Sequence, residues 1–429
     1  MTAAALFAGF LVLIALRVPI TMAIGLAVLA ALLASGFSDT LWVIPLKVME
    51  GVDNPSLLAI PFFVMAGNLM NAVGMTKRIF TLANALVGHF KAGLAQVNVL
   101  ASIMFAGGTG AAVADIAGLG TVEIKAMRER GYKPSFAAAI TTVSAIVAPF
   151  IPPSVPLVVY AFLSNTSVAR MFLAGIVPAL VVAGALMLFN RFLARTHDFP
   201  IQKRASAREI WRHALDGVAA LAAPGIIMVG ILTGTTTAAE AGILACAYTL
   251  LLGLVYRTLD WRHVWNAVSE TMLITSVIMI IIGFANGMGW LLAIEQIPQQ
   301  LAAGLPELVD SPFAFLCLVV VMMLVIGCFI DGVTAKLLLV PILLPLVDSF
   351  GIDRVHFGIV MQMSLILGLA TPPLGIGLYI VSKIAEIPVE EVVRAVLPFF
   401  LPLSLVLLLF AAVPEIALWL PDLVMGPQQ

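Results

Sequence analysis

The sequence predicts an all-α polytopic membrane protein made of two inverted-topology repeats, each with five spans, a re-entrant helical hairpin and a broken helix. Three observations predict it. Of 429 residues, 62% are hydrophobic and only 10% charged, and the mean hydropathy of +1.12 lies far above that of a soluble domain. Apolar runs of about 15 to 25 residues recur from end to end without a long polar block, the length a helix needs to cross a bilayer. Finally, a shift of 220 residues lays 131–178 on 351–398 without a gap, placing Gly131 on Gly351, Ser144 on Ser364, Ile146 on Ile366, Pro152-Pro153 on Pro372-Pro373 and Pro178 on Pro398.

The first repeat is expected over 1–194. No basic residue precedes its first apolar stretch, which reads as a retained membrane helix rather than a secretory leader. Spans are expected at 2–16 and 19–35, followed by a pair of short segments around 55–90. There MAGNLMN (65–71) sets Gly67 and Asn68 as a polar turn between apolar stretches, the pattern of a re-entrant tip. Spans 93–122, 136–163 and 172–193 complete the repeat. A basic linker, 195–213, leads into the second repeat at 214–420, with spans at 215–233, 238–256, 313–347, 356–382 and 392–420. Its hairpin is expected at 271–294, with Asn286 and Gly287 of FANGMG at the turn, and 421–429 forms a short tail. Segments 39–53 and 259–270 mix charge, Trp and aliphatic residues, as interfacial helices or plain loops do.

Five spans per half is an odd number, so the second half enters the membrane inverted. With the N-terminus outside, fifteen Lys/Arg residues fall on inside connections and six outside, with Lys336 left within a span. That bias puts both termini outside.

Non-helical backbone at membrane depth is tolerated only where protein buries it or it lines a wet cavity. Four places force such backbone. One is FAGGTGAAVAD (105–115), where Gly107, Gly108 and Gly110 unwind a span; its counterpart is IGCFIDG (326–332), with Gly327 and Asp331. The other two are the Pro-Pro pairs, each of which removes two donors. Unwound segments leave carbonyls that suit Na⁺ and helix N-termini that suit a carboxylate. Close packing through small residues is the alternative for the glycines. Matched interruptions in two halves are the pattern of repeat-built transporters.

Ionisable groups isolated in spans are costly, and so are read as functional. Asp331 lies at the second break; Asp115, just past the glycine cluster, is placed to orient the first. Glu240, near a span start, reads as a helix cap. Lys336 either pairs with Asp331 one turn away or snorkels. Cys246, Cys317 and Cys328 lie in apolar runs without metal or disulfide spacing, no His has a partner at ligand spacing, and no nucleophile–base pair is visible. A net charge of −1 without a basic, aromatic-interleaved run gives no sign of nucleic-acid binding.

Five stretches together resemble a known family: LLAIPFFVMAGNLMNAVG (57–74), SIMFAGGTGAAVADIAGLGTVEIKAMRERGYKPSFAAAIT (102–141), IPPSVPLVVYAFLS (151–164), GCFIDGVTAKLLLVPILLPLVDSFGIDRVHFGIVM (327–361) and GLATPPLGIGLYIVS (368–382). The chain from about 5 to 420 is similar to the large membrane subunit (DctM-like, M subunit) of tripartite ATP-independent periplasmic (TRAP) transporters. It departs at Thr237-Ala238-Ala239-Glu240-Ala241-Gly242, where the family usually shows Thr-Pro-Thr-Glu-Ala-Ala, so no ligand role is carried onto Thr237. The resemblance implies a non-enzymatic secondary transporter of the bacterial inner membrane. It further implies import of organic anions such as carboxylates by a Na⁺-driven elevator mechanism, with a small four-helix membrane subunit and a soluble periplasmic binding protein as partners.

On these readings Gly67, Asn68, Ser102, Gly107, Gly108 and Thr109 are expected to form one Na⁺ site, and Asn286, Gly287, Gly327 and Asp331 its inverted twin. Pro152, Pro153, Ser154, Thr371, Pro372 and Pro373 are expected to line the substrate cavity between them. The rival reading is a stand-alone Na⁺/carboxylate symporter or ion exchanger of similar repeat architecture. A membrane-embedded enzyme or scaffold would need a metal or nucleophile cluster at depth.

Overall fold

A computed structural model gives the fold; it describes the chain except residues 1–5, 7, 11, 14–15, 17, 35–40, 196–198, 201–202, 298, 301–308, 310, 373 and 428–429, and the side chains of 20, 34 and 107–109. Pro373 and Arg17 therefore lie outside the described residues. Among the described residues, regular structure is entirely helical. After helical residues at 6, 8–10 and 12–13 come α1 (Ile20–Ala34), α2 (Val43–Val52), a 3₁₀ turn (Pro55–Leu58), α3 (Ala59–Ala72) and α4 (Met75–Val87). The first repeat continues with α5 (Gly93–Thr109), α6 (Ala112–Glu129), α7 (Pro134–Ser144), a 3₁₀ turn (Ala148–Phe150), α8 (Val155–Ser164) and α9 (Val168–Leu193). The second holds α10 (Ala207–Leu232), α11 (Ala238–Val255), α12 (Trp261–Ile294), α13 (Pro312–Phe329), α14 (Gly332–Ser349), α15 (Arg354–Leu369), α16 (Ile376–Ala385) and α17 (Val389–Ala412); α18 (Glu415–Met425) follows.

The 220-residue repeat governs this order. Shifted by 220, Ala112–Glu129 coincides with Gly332–Ser349, and α5, α7–α8 and α9 fall on α13, α15–α16 and α17 within about two residues, the usual uncertainty of helix ends. Among the described residues, eight helices are long and apolar enough to cross a membrane, and α7–α8, bent by 45°, make a ninth candidate. The chain is thus a multi-pass membrane protein.

The expected turns at Gly67-Asn68 and Asn286-Gly287 do not exist. Gly67 and Asn68 lie inside α3, and the chain turns at Val73-Gly74, where Gly74 takes φ +78°. Asn286 and Gly287 lie inside α12, a single 34-residue helix. The first repeat breaks at the position corresponding to the middle of α12, because Asp53-Asn54-Pro55 supplies a proline and an Asn54 side chain that accepts from Ser56 N–H; Leu273-Ile274-Thr275, the shifted counterpart, supplies neither. At 1.5 Å per residue α12 is about 51 Å long, well beyond a hydrocarbon core of about 30 Å. Its first turns, with Trp261, Arg262 and Trp265, reach past that core, consistent with the mixed composition of 259–270.

The hairpins fall instead at the segments expected to be unwound spans. Ser102 on α5 donates to the Asp115 carboxylate on α6 at 2.8 Å. Thirteen residues of straight helix would separate them by about 20 Å, so the chain reverses between them. In the second repeat the Phe315 and Phe350 rings stack at 4.7 Å, closing the open end of a V whose tip is Ile330-Asp331. Among the described residues, the hairpin of each repeat therefore lies at α5–α6 and α13–α14.

Packing divides the helices into two groups. In one, α12 packs on α1, α2 and α3, α11 packs on α3 and α10, and α10 reaches α4. In the other, the hairpins and broken helices interlock across the repeats, α14 against α8, α6 against α16 and α7 against α17. Helix α4 joins the groups, and α3–α5 and α12–α14 contacts run between them.

Candidate functional site

Glycine at the first tip permits a close approach that no side chain allows. Gly110 ends α5 with φ +57°, and a Cβ there would lie 2.5 Å from the Pro153 carbonyl oxygen and 2.7 Å from Ser154 Cα. The tip therefore sits directly on the first Pro-Pro break. Within that hairpin Asp115 is buried, with one carboxylate oxygen held by Ser102 and the other without a partner among the described residues. Deeper along α6, Asn98 donates to Thr141 at 2.9 Å and Thr141 donates to Glu123 at 3.3 Å, all three buried.

Proline chemistry shapes the break itself. The Pro149 carbonyl would bond the N–H of residue 153 in a continuous helix, but that residue is proline. Ser154 Oγ donates to it instead at 2.6 Å, and Gln362 Nε2 from α15 at 3.4 Å. Ser154 then caps α8 by accepting from Leu157 N–H at 3.4 Å.

The second hairpin seats on the second broken helix in the same way. A Cβ on Gly327 would lie 2.6 Å from the Leu365 carbonyl oxygen, and Cys328 Sγ donates to the Pro372 carbonyl at 3.8 Å. Asp331 caps α14, accepting from Val333 and Thr334 N–H at 3.0 and 3.4 Å. Thr371 turns its hydroxyl back onto the Leu367 carbonyl at 2.7 Å.

Both assemblies face one another across a small cavity of about 70 Å³, lined by Ala111, Ala112 and Val113 of the first hairpin, Pro149 and Pro156 of the first broken helix, Asp331, Gly332, Val333 and Lys336 of the second hairpin, and Gln362 of α15. A larger cavity of about 410 Å³ adjoins it, sharing Ala111, Pro156, Asp331 and Val333 and extending to Asn68 of α3 and Leu273, Val277 and Ile281 of α12. Asn68 and Asp331 are thus brought to one site. Ser154 and Ser102 support the first hairpin and its break from behind; Thr371 and Pro372 support the second.

Other expected site residues lie elsewhere. Asn286 donates to the Lys47 carbonyl at 2.7 Å and fastens α12 to α2, and Gly287 has open space beside it. Gly67 is buried in α3 and lines neither cavity. Glu240 forms a capping box with Thr237 at the start of α11, so Thr237 opens that helix without the family's proline. Lys336 neither pairs with Asp331 nor snorkels: it is buried, and its Nζ donates to the Pro156 carbonyl at 3.2 Å. Gln362, Asn98, Thr141 and Glu123 escaped the reading of the sequence, because each has other polar residues within a few positions and none stands out alone.

The sequence profile of the family described as "Tripartite ATP-independent periplasmic transporter, DctM component" matches residues 7–416. The chain belongs to that family. It is a TRAP transporter permease subunit and not an enzyme, and its family works with a substrate-binding protein and a small membrane subunit. The large permease protein SiaM of the sialic acid TRAP transporter of Vibrio cholerae is 41% identical over 381 residues, 89% of each chain. YiaN of Escherichia coli, the 2,3-diketo-L-gulonate large permease protein, is 36% identical over 92% of this chain and 95% of its own. DctM of Pseudomonas aeruginosa, the C4-dicarboxylate large permease protein, is 35% identical over 90% of each. In fold, the TRAP permease resembles the Alcanivorax borkumensis YdaH transporter, with a TM-score of 0.61 at 16% identity over 89% of each chain. It also resembles Neisseria gonorrhoeae MtrF, with a TM-score of 0.58 at 12% identity over 91% of this chain and 86% of that one.

Proposed function

We propose that this TRAP permease imports a small organic anion of the carboxylate class across the bacterial inner membrane, driven by a Na⁺ gradient. It takes substrate from a periplasmic binding protein and pairs with a small four-helix subunit. One observation carries the reading: two hairpin tips and a Pro-Pro break, each with helix N-termini, converge from opposite repeats on one pair of adjoining cavities. Helix N-termini favour a carboxylate, and carbonyls freed at the breaks favour Na⁺. The coupling ions are assigned to backbone 107–110 against Pro153-Ser154, and to 327–331 against 368–372. Asn68 and Asp331 face the shared cavity. An elevator motion would carry the interlocked hairpin group past the group built on α12, with α4 as the connecting arm.

The relocated hairpins also sharpen the orientation. With α2–α3 crossing once and α5–α6 re-entrant, Lys77, Arg78 and Lys91 move to the inside, leaving eighteen basic residues inside and only Lys47, Arg170 and Arg354 outside. That bias supports periplasmic termini.

The test is uptake in proteoliposomes, with labelled substrate identified by screening anions on the cognate binding protein. Uptake is expected only with all three components and an inward Na⁺ gradient, and Asp331→Ala is expected to abolish it. Uptake by this chain alone would instead support a stand-alone carrier, and an unchanged Na⁺ dependence in Asp331→Ala would remove that residue from the site.

A further inference from the structure

We propose that Lys336 is the fixed cation that receives the carboxylate of the substrate, and that the adjoining cavity selects a monocarboxylate with a largely apolar body. This rests on the reading of the chain as an organic-anion carrier. Lys336 is buried to 1% exposure midway along the hairpin assembly, where a charge is kept only with a partner. Its ammonium makes one hydrogen bond among the described residues, to the Pro156 carbonyl, leaving two of three donors for another group. Among the described residues it makes no salt bridge. Asp331 makes no ion pair with it among the described residues; one oxygen of that carboxylate accepts from the Val333 and Thr334 N–H groups that open α14.

The surroundings ask for an anion. The N-termini of α6 at Ala112, α8 at Val155 and α14 at Gly332 all end beside the recess that Lys336 lines, each contributing partial positive charge. Gln362, 1% exposed, lines the same recess with its side-chain oxygen unpartnered among the described residues, an acceptor for a hydroxyl or a hydrated oxo group next to the carboxylate. The recess of about 70 Å³ holds a carboxylate with a water and little more.

The larger cavity sets the rest of the ligand. At about 410 Å³ it is of small-ligand size. Its walls are mainly aliphatic, from Val64, Leu273, Ile274, Val277, Ile278 and Ile281, with Asn68, Thr334 and Asp331 as the polar exceptions. A second carboxylate there would find no basic side chain among the lining residues. The internal repeat makes the asymmetry plain, since the position corresponding to Lys336 is Ile116.

The test uses the purified complex of this chain with its small subunit, in Na⁺, read by thermal stabilisation with 4-methyl-2-oxopentanoate, its primary amide, succinate and N-acetylneuraminate. The branched oxo acid is expected to stabilise the wild type at lower concentration than the other three. Lys336→Met is expected to weaken the acid on the order of 30-fold or more while leaving the amide unchanged, abolishing the preference between them. Merely structural damage would weaken both alike. A preference for acid over amide intact in Lys336→Met overturns the assignment, and so does tighter stabilisation of the wild type by succinate or N-acetylneuraminate. If Lys336→Met does not assemble, Lys336→Arg, which keeps the charge, must retain the preference; its loss there overturns the proposal equally. The carrier reading fails separately, by the absence of Na⁺-dependent uptake of any anion in the three-component vesicles.

Discussion

Gly327 and Gly368 set how deeply the second hairpin seats. A Cβ on Gly327 would approach the Leu365 carbonyl oxygen to 2.6 Å, and one on Gly368 would approach the Gly327 backbone to 2.7 Å. Main-chain atoms inside packed helices cannot step aside as a flexible side chain does. Gly327→Ala and Gly368→Ala are each expected to cost about 1–3 kcal/mol by overpacking. The check is the thermal unfolding midpoint in detergent, with Gly184→Ala, which meets nothing within 4 Å, as the control; midpoints equal to that control would show that the close approach does not matter. The polar row Asn98, Ser102, Asp115, Glu123 and Thr141 makes a different point. Its shifted counterparts are Leu318, Met322, Ala335, Leu343 and Met361, so the two hairpins share a backbone plan and differ in their interiors. Asp115 stood out in the sequence as an isolated charge, whereas the chain from Asn98 through Thr141 to Glu123 joins α5, α7 and α6 and exists only once they pack.

The broken helix α7–α8 owes its 45° bend to donors that Pro152 and Pro153 lack. Replacing both with Ala restores N–H groups opposite the Ala148 and Pro149 carbonyls. The double variant is expected to run on as a straighter helix, releasing Ser154 and Gln362 from Pro149 and withdrawing the seat of Gly110. Membrane insertion and assembly with the small subunit should persist while Na⁺-dependent uptake is lost; full uptake would show that the bend is dispensable. The Pro-Pro breaks were legible in the sequence because a missing donor is a property of the residue itself. The turn inferred at Asn68 was not, since an Asn or Gly inside an apolar run is compatible with a helix that has packing on its other face. Asn68 finds that packing through Ala267 and Thr271 on α12.

Orientation is decided by the molecule as a unit. If α5–α6 is re-entrant from the inside, the connection bearing Lys91 is cytoplasmic; if 55–90 were the hairpin, it would be periplasmic. Lys91→Cys, in a background with Cys246, Cys317 and Cys328 replaced by Ser, is expected to react with an impermeant maleimide only after cells are permeabilised. Labelling in intact cells would restore the earlier placement of the hairpin.

Composition and periodic interruption by themselves determined that the chain crosses a membrane many times, that it is one plan written twice and that four segments cannot be continuous helix. These follow from the cost of polar backbone in hydrocarbon and from the conformational range of glycine and proline, both local properties. Only the tertiary structure decided which interruptions reverse the chain and which merely bend it. A freed backbone admits many directions, and the one taken depends on the next helix's packing: Ser102 with Asp115 and Phe315 with Phe350 close hairpins, while Ser154 and Gln362 hold a bend. It also decided the setting of Lys336, whose partner carbonyl belongs to Pro156 in the other repeat, a contact that sequence spacing does not encode.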